Sequence, residues 1–238
     1  MKRPATRALL FDKDGTLFHF GETWNAWALA VIDRLAGGDA ARREALARAA
    51  RYDLDTQRFD PSSPIIAGTN REAAECLMTA LPGFPLAALE ALLTDLAKDA
   101  PLVPTVHLPG LFAALKSAGF ALGLMTNDTE EAARSHIGRA GLADSFDFVA
   151  GFDSGFGAKP DPGPLRAFAE ATGHAPAACA MIGDSVHDLV AGRAAGMKTV
   201  GVLTGPARAS TLAPFADVIL PDIGHLPVWL GTGFPKND

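Results

Sequence analysis

Cysteine and clustered positive charge are both scarce in this 238-residue sequence. Its two cysteines, Cys76 and Cys179, lie far apart in apolar surroundings, which favours buried free thiols and excludes a disulfide framework or a cysteine metal motif. The formal net charge is −6 and the basic residues form no cluster, so we expect no nucleic-acid partner. An anionic substrate would need a locally positive site on this acidic chain.

Long apolar runs are missing as well. No stretch approaches the length of a membrane span. The basic N-terminus is typical of a signal peptide for three residues only, and Asp12 interrupts the short apolar run that follows. With 48% hydrophobic and 20% charged residues, the chain has the composition of a globular protein of one or two domains. We therefore expect a cytoplasmic protein with no membrane partner.

Short apolar runs alternate with helical patterns from about Gly119 onward. This alternation predicts a parallel sheet that is covered on both faces by helices. The opening run has the same character and is assigned to the same sheet. The predicted strands are 8–12, 120–126, 146–152, 178–184, 198–204 and 216–222.

The segment between about Phe18 and Leu102 has a different pattern. It is rich in Ala, Leu, Arg and Glu, with apolar residues at helical spacing and no obvious strand. A Pro/Ser/Gly-rich stretch at 59–70 predicts a connection between helices. We predict an α/β core formed by residues 1–17 and 102–238, with an all-helical cap domain inserted at 18–101.

Polar side chains follow four of the predicted strands, and open parallel sheets bind ligands at the carboxyl ends of their strands. Clustered carboxylates need a cation or protonation, and Mg²⁺ prefers a few carboxylate oxygens together with substrate phosphate. Asp12 and Asp184 are the predicted carboxylate ligands. The polar residues at or after the strand ends are Asp12, Asp14, Thr126, Asn127, Asp128, Lys159, Asp184 and Asp188.

A metal alone does not account for Thr126 and Lys159. A hydroxyl and an ammonium at one sheet edge suit a phosphoryl group. Aspartate is a known nucleophile in phosphoryl transfer, and a second carboxylate can protonate the leaving oxygen and later deprotonate water. The pair Asp12 and Asp14 can divide these two tasks between them.

The polar strand ends lie in four segments, which are, in chain order, DKDGTL, LMTND, KPDPGPL and GDSVHDLVAGRAAGM. Together they resemble the four motifs of the haloacid dehalogenase superfamily. The likeness is to its phosphoglycolate phosphatase-like members with a helical cap, and it implies a Rossmann-like core and Mg²⁺-dependent hydrolysis of a small phosphorylated metabolite. We expect a monomer or a homodimer. The resemblance also implies a role for each motif position. Asp12 is the nucleophile, Asp14 the acid/base and Thr126 and Lys159 the phosphoryl-binding pair. The metal is held by Asp12, the Asp14 carbonyl and Asp184, while Asp188 helps to ligate the metal or to orient its shell.

Two positions depart from the family pattern. Lys13 stands where an apolar residue is common, and strand alternation is expected to turn its side chain away from the nucleophile. His19 stands where an acid is common. Of the six histidines, only His19 and His187 lie close enough in sequence to the motifs to line the site; the others are interpreted as structural or surface residues.

In the cap, Gly68, Thr69 and Arg71 are predicted to bind the rest of the substrate, and Asn127 of the core the phosphoryl group. Gly68 allows close backbone approach, and Arg71 can hold an anion bidentately. The competing interpretation makes Thr69 or Asn70 only a helix N-cap. Trp24 and Trp27 are interpreted as cap core or, alternatively, as an active-site lid.

Three alternatives to a phosphatase arise. The stretch GTNRE at 68–72 resembles the specificity loop of a β-phosphoglucomutase-like sugar-phosphate mutase, which is the second hypothesis. A dehalogenase of the superfamily lacks the acid at the Asp14 position. A phospho-receiver signalling domain, the more distant alternative, lacks the Asp-x-Asp pair and the helical insertion.

Overall fold

The computed structural model describes residues 5–232, and its centre is a six-stranded parallel sheet with the strand order β5-β4-β1-β6-β7-β8. All six predicted strands are present, and the predicted Rossmann-like α/β fold is confirmed. The strands are β1 (Ala8–Phe11), β2 (Tyr52–Asp53), β3 (Arg58–Phe59), β4 (Ala121–Met125), β5 (Phe148–Ala150), β6 (Cys179–Gly183), β7 (Lys198–Val202) and β8 (Val218–Leu220).

Helices cover both faces of the sheet and form most of the insertion after β1. Thr129 and Ser185 cap their helices with side-chain oxygens, and Gly196 ends one in the left-handed conformation. The helices are α1 (Phe20–Ala36), α2 (Ala40–Ala50), α3 (Asn70–Met78), α4 (Leu86–Lys98), α5 (Leu108–Ser117), α6 (Glu130–Arg139), α7 (Gly163–Ala171), α8 (Val186–Ala195), α9 (Ala209–Leu212) and α10 (Leu226–Leu230).

Strand β1 lies in the middle of the sheet, which explains its continuous apolar sequence. Leu9 and Phe11 pack into one layer of the core, and Ala8 and Leu10 into the opposite layer. Phe11 is aligned with Leu124 of β4 and with Ile182 of β6. The residues that follow these three strands therefore meet at one edge of the sheet.

The insertion has a hydrophobic core of its own, built mainly from α1 to α4. One feature differs from the all-helical prediction: β2 and β3 form a two-residue antiparallel pair. Such short strands leave no alternating pattern to detect. The pair is stabilised by α1, because the Tyr52 hydroxyl donates to the Asn25 carbonyl and the Phe59 amide donates to the Asn25 side chain.

The cap packs against the core at α6, where Arg139 donates to the Lys98 carbonyl of α4.

Cys76 and Cys179 are free thiols, as predicted; Cys179 is buried and Cys76 half-buried. Within residues 5–232, no helix combines the length and the apolar character needed to cross a bilayer.

Candidate active site

Three carboxylates converge where β1 and β6 end. Asp12 directly follows β1, Asp184 follows β6, and Asp188 lies in the first turn of α8. All three are buried, and each offers an oxygen within 4.8 Å of the others. Buried carboxylates at this spacing repel one another unless a cation or protons offset their charge.

Lys159 supplies one positive charge to this cluster. Its ammonium donates to Asp12 Oδ1 at 2.5 Å, to Asp188 Oδ1 at 2.6 Å and to the Met125 carbonyl at 3.0 Å. Burial disfavours the charged ammonium, but the carboxylates of Asp12 and Asp188 outweigh this effect and raise the pKa of Lys159 above its usual value. Lys159 therefore stays protonated.

A single lysine does not neutralise three carboxylates. Burial, opposed by Lys159 and reinforced by Asp188 and Asp14, raises the pKa of Asp12 to about 7. Burial and the charges of Asp12 and Asp188 likewise hold the pKa of Asp184 well above its ordinary value. The protein without metal thus binds protons at a site whose geometry suits a divalent cation.

Two glycines let the chain pass close to Asp184. Gly15 has a φ of 80°, in the left-handed region, and a Cβ there would overlap the Asp184 carboxyl group. A Cβ on Gly205, in the loop after β7, would overlap the same group. The Asp184 side chain is thus enclosed by backbone on two sides and held towards Asp12.

Asp188 has a structural and a site contact at once. Its Oδ2 accepts from the Ser185 amide at 3.0 Å and from the Ser185 hydroxyl at 2.7 Å, completing a capping box at the start of α8. Its Oδ1 faces Lys159. Asp188 therefore caps α8 and faces the site at the same time.

The Asp14 side chain lies outside the three-carboxylate group and pairs with Lys13 at 2.9 Å. Asp14 also lines the cavity between the cap and the sheet edge, as the proposed acid/base must.

Thr126 directly follows β4, is buried and lines the same cavity. Its hydroxyl accepts from the Asp128 amide at 3.1 Å, which leaves the hydroxyl proton free to be donated elsewhere.

Asn127 links the core to the cap. Its amide nitrogen donates to the Ala67 carbonyl at 3.0 Å and to the Lys159 carbonyl at 2.8 Å, while its oxygen accepts from the Lys159 amide at 2.9 Å. His187 also contacts the Ala67 carbonyl, at 3.1 Å. These bonds fix the Lys159 loop and the cap backbone above the sheet edge.

The predicted cap residues separate into two groups. Gly68 and Thr69 line the cavity; Thr69 is also the N-cap of α3 and forms a capping box with Glu72. The structure does not bring Arg71 to the cavity. Arg71 pairs with Glu75 and Glu90 on the outer surface, and its side chain is 56% exposed. Because α3 begins at Asn70, the helical rotation of about 100° per residue turns Arg71 away from the cavity.

A cavity of about 510 Å³ lies between the cap and the sheet edge. Trp24 and Trp27 line it, and Trp27 is also buried in the cap core, so the two interpretations of the tryptophans are compatible. His187 lines the cavity as proposed, whereas His19 is not among the described residues that do so.

Comparison with known proteins identifies the family. Residues 6–196 match the model of the haloacid dehalogenase-like hydrolases. The chain belongs to this family. A phosphoglycolate phosphatase of Rhodospirillum rubrum is 32% identical over 98% of this chain and 94% of its own, and the pyrophosphatase PpaX of Bacillus velezensis is 29% identical over 87% and 88%. The crystal structure of a HAD phosphatase from Thermococcus onnurineus, 22% identical, superimposes with a TM-score of 0.67 over 95% of this chain and 99% of that one. The predicted family and enzyme class are thereby confirmed.

Several residues of this haloacid dehalogenase-like hydrolase contact the site without having been predicted. His136, interpreted from sequence as structural or surface, is buried and lies 2.8 Å from the Lys13 ammonium through its Nδ1. Burial and the Lys13 charge lower the pKa of His136 to about 4. Phe59, Ile66 and Arg208 line the cavity from loops and a short strand, where no sequence periodicity marks them.

Proposed function

We propose that this chain is a Mg²⁺-dependent phosphomonoesterase that works through an aspartyl-phosphate intermediate on Asp12. The observation that carries the proposal is the position of Asp12 at the end of the central strand. Its carboxylate is buried beside the Lys159 ammonium and the carboxylates of Asp184 and Asp188. A carboxylate nucleophile and a dianionic phosphoryl group repel each other, so the reaction needs positive charge nearby. Here that charge would come from Lys159 and from a cation held by the carboxylates.

The donor set fits Mg²⁺. Asp12, Asp184 and Asp188 supply hard oxygen ligands within a small distance, with more negative charge than Lys159 can offset. The Asp14 backbone carbonyl is proposed as a further ligand, as the family resemblance implies. A bound Mg²⁺ would neutralise charge on the carboxylates and the phosphoryl oxygens during the displacement.

Each step of the chemistry is assigned to a side chain of the site. Asp12 Oδ attacks phosphorus and the ester bond to the leaving oxygen breaks. Lys159 and the Thr126 hydroxyl stabilise the phosphoryl oxygens. Asp14 gives its proton to the leaving oxygen and then takes one from the water that hydrolyses the aspartyl phosphate. Asn127 is proposed to act mainly by positioning Lys159, since its amide is already bonded to the Lys159 backbone.

The substrate is proposed to be a small phosphorylated metabolite. The relatives named phosphoglycolate phosphatase make phosphoglycolate the first compound to assay. The cytoplasmic location and the monomeric or homodimeric state expected from the sequence stay predictions.

The test is phosphate release from p-nitrophenyl phosphate, a small generic ester. We expect turnover with Mg²⁺, none with chelator, and little with Ca²⁺, whose larger and looser coordination shell misplaces the nucleophile. Asp12→Asn should abolish turnover, and a beryllofluoride adduct should form on Asp12 of the unmodified protein. Full activity in chelator, or normal turnover by Asp12→Asn, would contradict the mechanism.

The mutase hypothesis receives less support from the cap geometry. Thr69 caps α3, and the Asn70 amide donates to the Glu90 carbonyl and the Thr94 hydroxyl, so these polar groups already have partners. Conversion of β-glucose 1-phosphate to glucose 6-phosphate faster than phosphate release would favour the mutase instead.

A further inference from the structure

Two features of the site point beyond a generic phosphatase: the chemistry of the cavity wall and the burial of Lys13. Both inferences rest on the proposed function, and each has a readout of its own.

The cavity wall opposite the motif residues is apolar and aromatic. The side chains on this wall come from α1, β3 and the loop before α3: Phe20, Trp24, Trp27, Phe59, Ile65 and Ile66. Of the two indole N–H groups on this wall, that of Trp27 donates to the Leu93 carbonyl and that of Trp24 is buried without a hydrogen-bond partner. Beside the wall, the Thr69 hydroxyl donates to Glu72 and the Asn70 amide to Glu90. A substrate group that enters this space meets hydrocarbon and aromatic rings.

A carboxylated leaving group fits this wall poorly. Among the described residues that line the cavity, the lysine and arginine side chains are those of Lys159 and Arg208. Lys159 is occupied by Asp12 and Asp188, and Arg208 is exposed to solvent, where an ion pair contributes little. A cavity of about 510 Å³ also falls in the size range that encloses larger organic ligands.

We propose that the natural substrate is a phosphate monoester whose leaving group carries an apolar or aromatic body larger than glycolate. The wall would bind this body by burial of apolar surface. Burying a phenyl group against this wall, in place of a methyl group, favours binding by about 10- to 100-fold.

The test compares esters of primary alcohols, which differ in the group carried by the alcohol. We expect kcat/KM for benzyl phosphate to exceed that for ethyl phosphate and for phosphoglycolate by about 10-fold or more. Phe59→Ala and Ile66→Ala should each reduce the ratio of benzyl to ethyl phosphate. Val228→Ala removes an exposed side chain of α10, outside the cavity lining, and should leave that ratio unchanged.

Binding keeps this test separate from that of the proposed function. By calorimetry, 2-phenylethylphosphonate should bind at least 10-fold more tightly than 3-phosphonopropionate, whether or not any ester is hydrolysed. Activity on p-nitrophenyl phosphate together with a preference for phosphoglycolate or 3-phosphonopropionate would overturn the inference and leave the phosphatase assignment intact.

Lys13 carries a second inference on different observations. Its side chain is fully buried, with 0% exposure. The ammonium lies 2.9 Å from Asp14 Oδ2, 3.1 Å from Asp128 Oδ2 and 2.8 Å from His136 Nδ1. An ammonium has three protons and no acceptor, so three acceptors satisfy it, and a Trp24 ring lies 5.2 Å away.

The same contacts connect the core to the cap. Because Nδ1 of His136 accepts from Lys13, its Nε2 carries the proton and donates to the Ala97 carbonyl of α4, at 2.7 Å. Trp24 belongs to α1, also in the cap. The Lys13 ammonium therefore lies at the contact between the core and the cap.

We infer that Lys13 is a positioning residue for Asp14, holding its carboxylate at the cavity for proton transfer. Asp14 has no other ion pair among the described residues, so Lys13 supplies the ionic contact that holds its side chain. Proton donation matters for alkoxide leaving groups and little for p-nitrophenolate, which departs without an acid.

The leaving-group dependence of Lys13→Met tests this inference. We expect kcat/KM for benzyl phosphate to fall on the order of 100-fold, and that for p-nitrophenyl phosphate by less than about 5-fold. A purely structural role would lower both by one factor, and that result would overturn the inference. If Lys13→Met does not fold, the charge-balanced double variant Lys13→Met with Asp128→Asn gives the same comparison, with Asp128→Asn alone as its matched control.

Discussion

The carboxylate cluster makes a contribution to the stability of the metal-free protein that falls as pH rises. The buried His136, whose pKa is lowered, contributes in the opposite sense, so the contribution of the cluster is measured as the difference between the protein with and without Mg²⁺. The pKa of Asp12 is raised from 3.8 to about 7 in the folded chain, so the folded state holds a proton that the unfolded state has already lost. Between about pH 4 and pH 7 this contribution to the free energy of unfolding therefore decreases, and above about pH 7 it is lost completely. Mg²⁺ should remove the effect, because it stabilises the ionised carboxylates.

The magnitude follows from the size of the pKa change. Three pKa units correspond to about 4 kcal/mol. For a chain of this length, 1 kcal/mol shifts Tm by about 2–4 °C. We therefore expect the Mg²⁺-induced increase in Tm to be small at pH 5 and on the order of 10 °C at pH 8.

Thermal unfolding followed by circular dichroism, with chelator and with Mg²⁺ from pH 5 to pH 8, measures this increase. Asp12→Asn should reduce its pH dependence, because the amide does not titrate; the buried Asp184 accounts for what remains. Asp95→Asn is the matched control, since this carboxylate is 74% exposed. An equal Mg²⁺ effect at pH 5 and pH 8, or an unchanged pH dependence in Asp12→Asn, would refute the reasoning.

Three further substitutions test other parts of the site. Asp14→Asn should lower kcat/KM for alkyl phosphates on the order of 100-fold or more but still form the beryllofluoride adduct, as shown by fluorine NMR. Gly205→Ala places a methyl group against the Asp184 carboxylate and should raise the Mg²⁺ concentration for half-maximal activity by about 10-fold; an unchanged titration would mean that the loop adjusts. Thr69→Ala removes the capping box of α3 and should cost about 1 kcal/mol, seen as a lower Tm; an unchanged Tm would contradict the cap assignment.

The sheet and the core of the site could be predicted because they depend on local patterns. Each buried strand is a short apolar run, and the polar residue that ends the run lies at the same sheet edge as its counterparts. Asp12, Thr126 and Asp184 follow adjacent strands β1, β4 and β6. Strand adjacency then brings these side chains together without any further information from the sequence.

The cap residues depend on geometry that the sequence does not determine. The sequence predicts that the stretch 68–71 contacts the substrate. The position at which α3 begins, however, decides which of these side chains face the cavity. Thr69 ends the loop as an N-cap, and Arg71 then turns towards Glu75 and Glu90. The aromatic wall, by contrast, is assembled from α1, β3 and a loop, so no single segment displays it.

Lys13 shows how a departure from a family pattern acquires a reason only in three dimensions. Strand alternation predicts that its side chain leaves the Asp12 side of the strand, and its contacts are with Asp14, Asp128 and His136. A buried lysine is costly unless it is paired and fully hydrogen-bonded. The two carboxylates and the histidine that meet this requirement come from separate parts of the chain, and the histidine also bonds to the cap. The residue that looks least suited to the motif therefore connects the proposed acid/base to the cap, through His136.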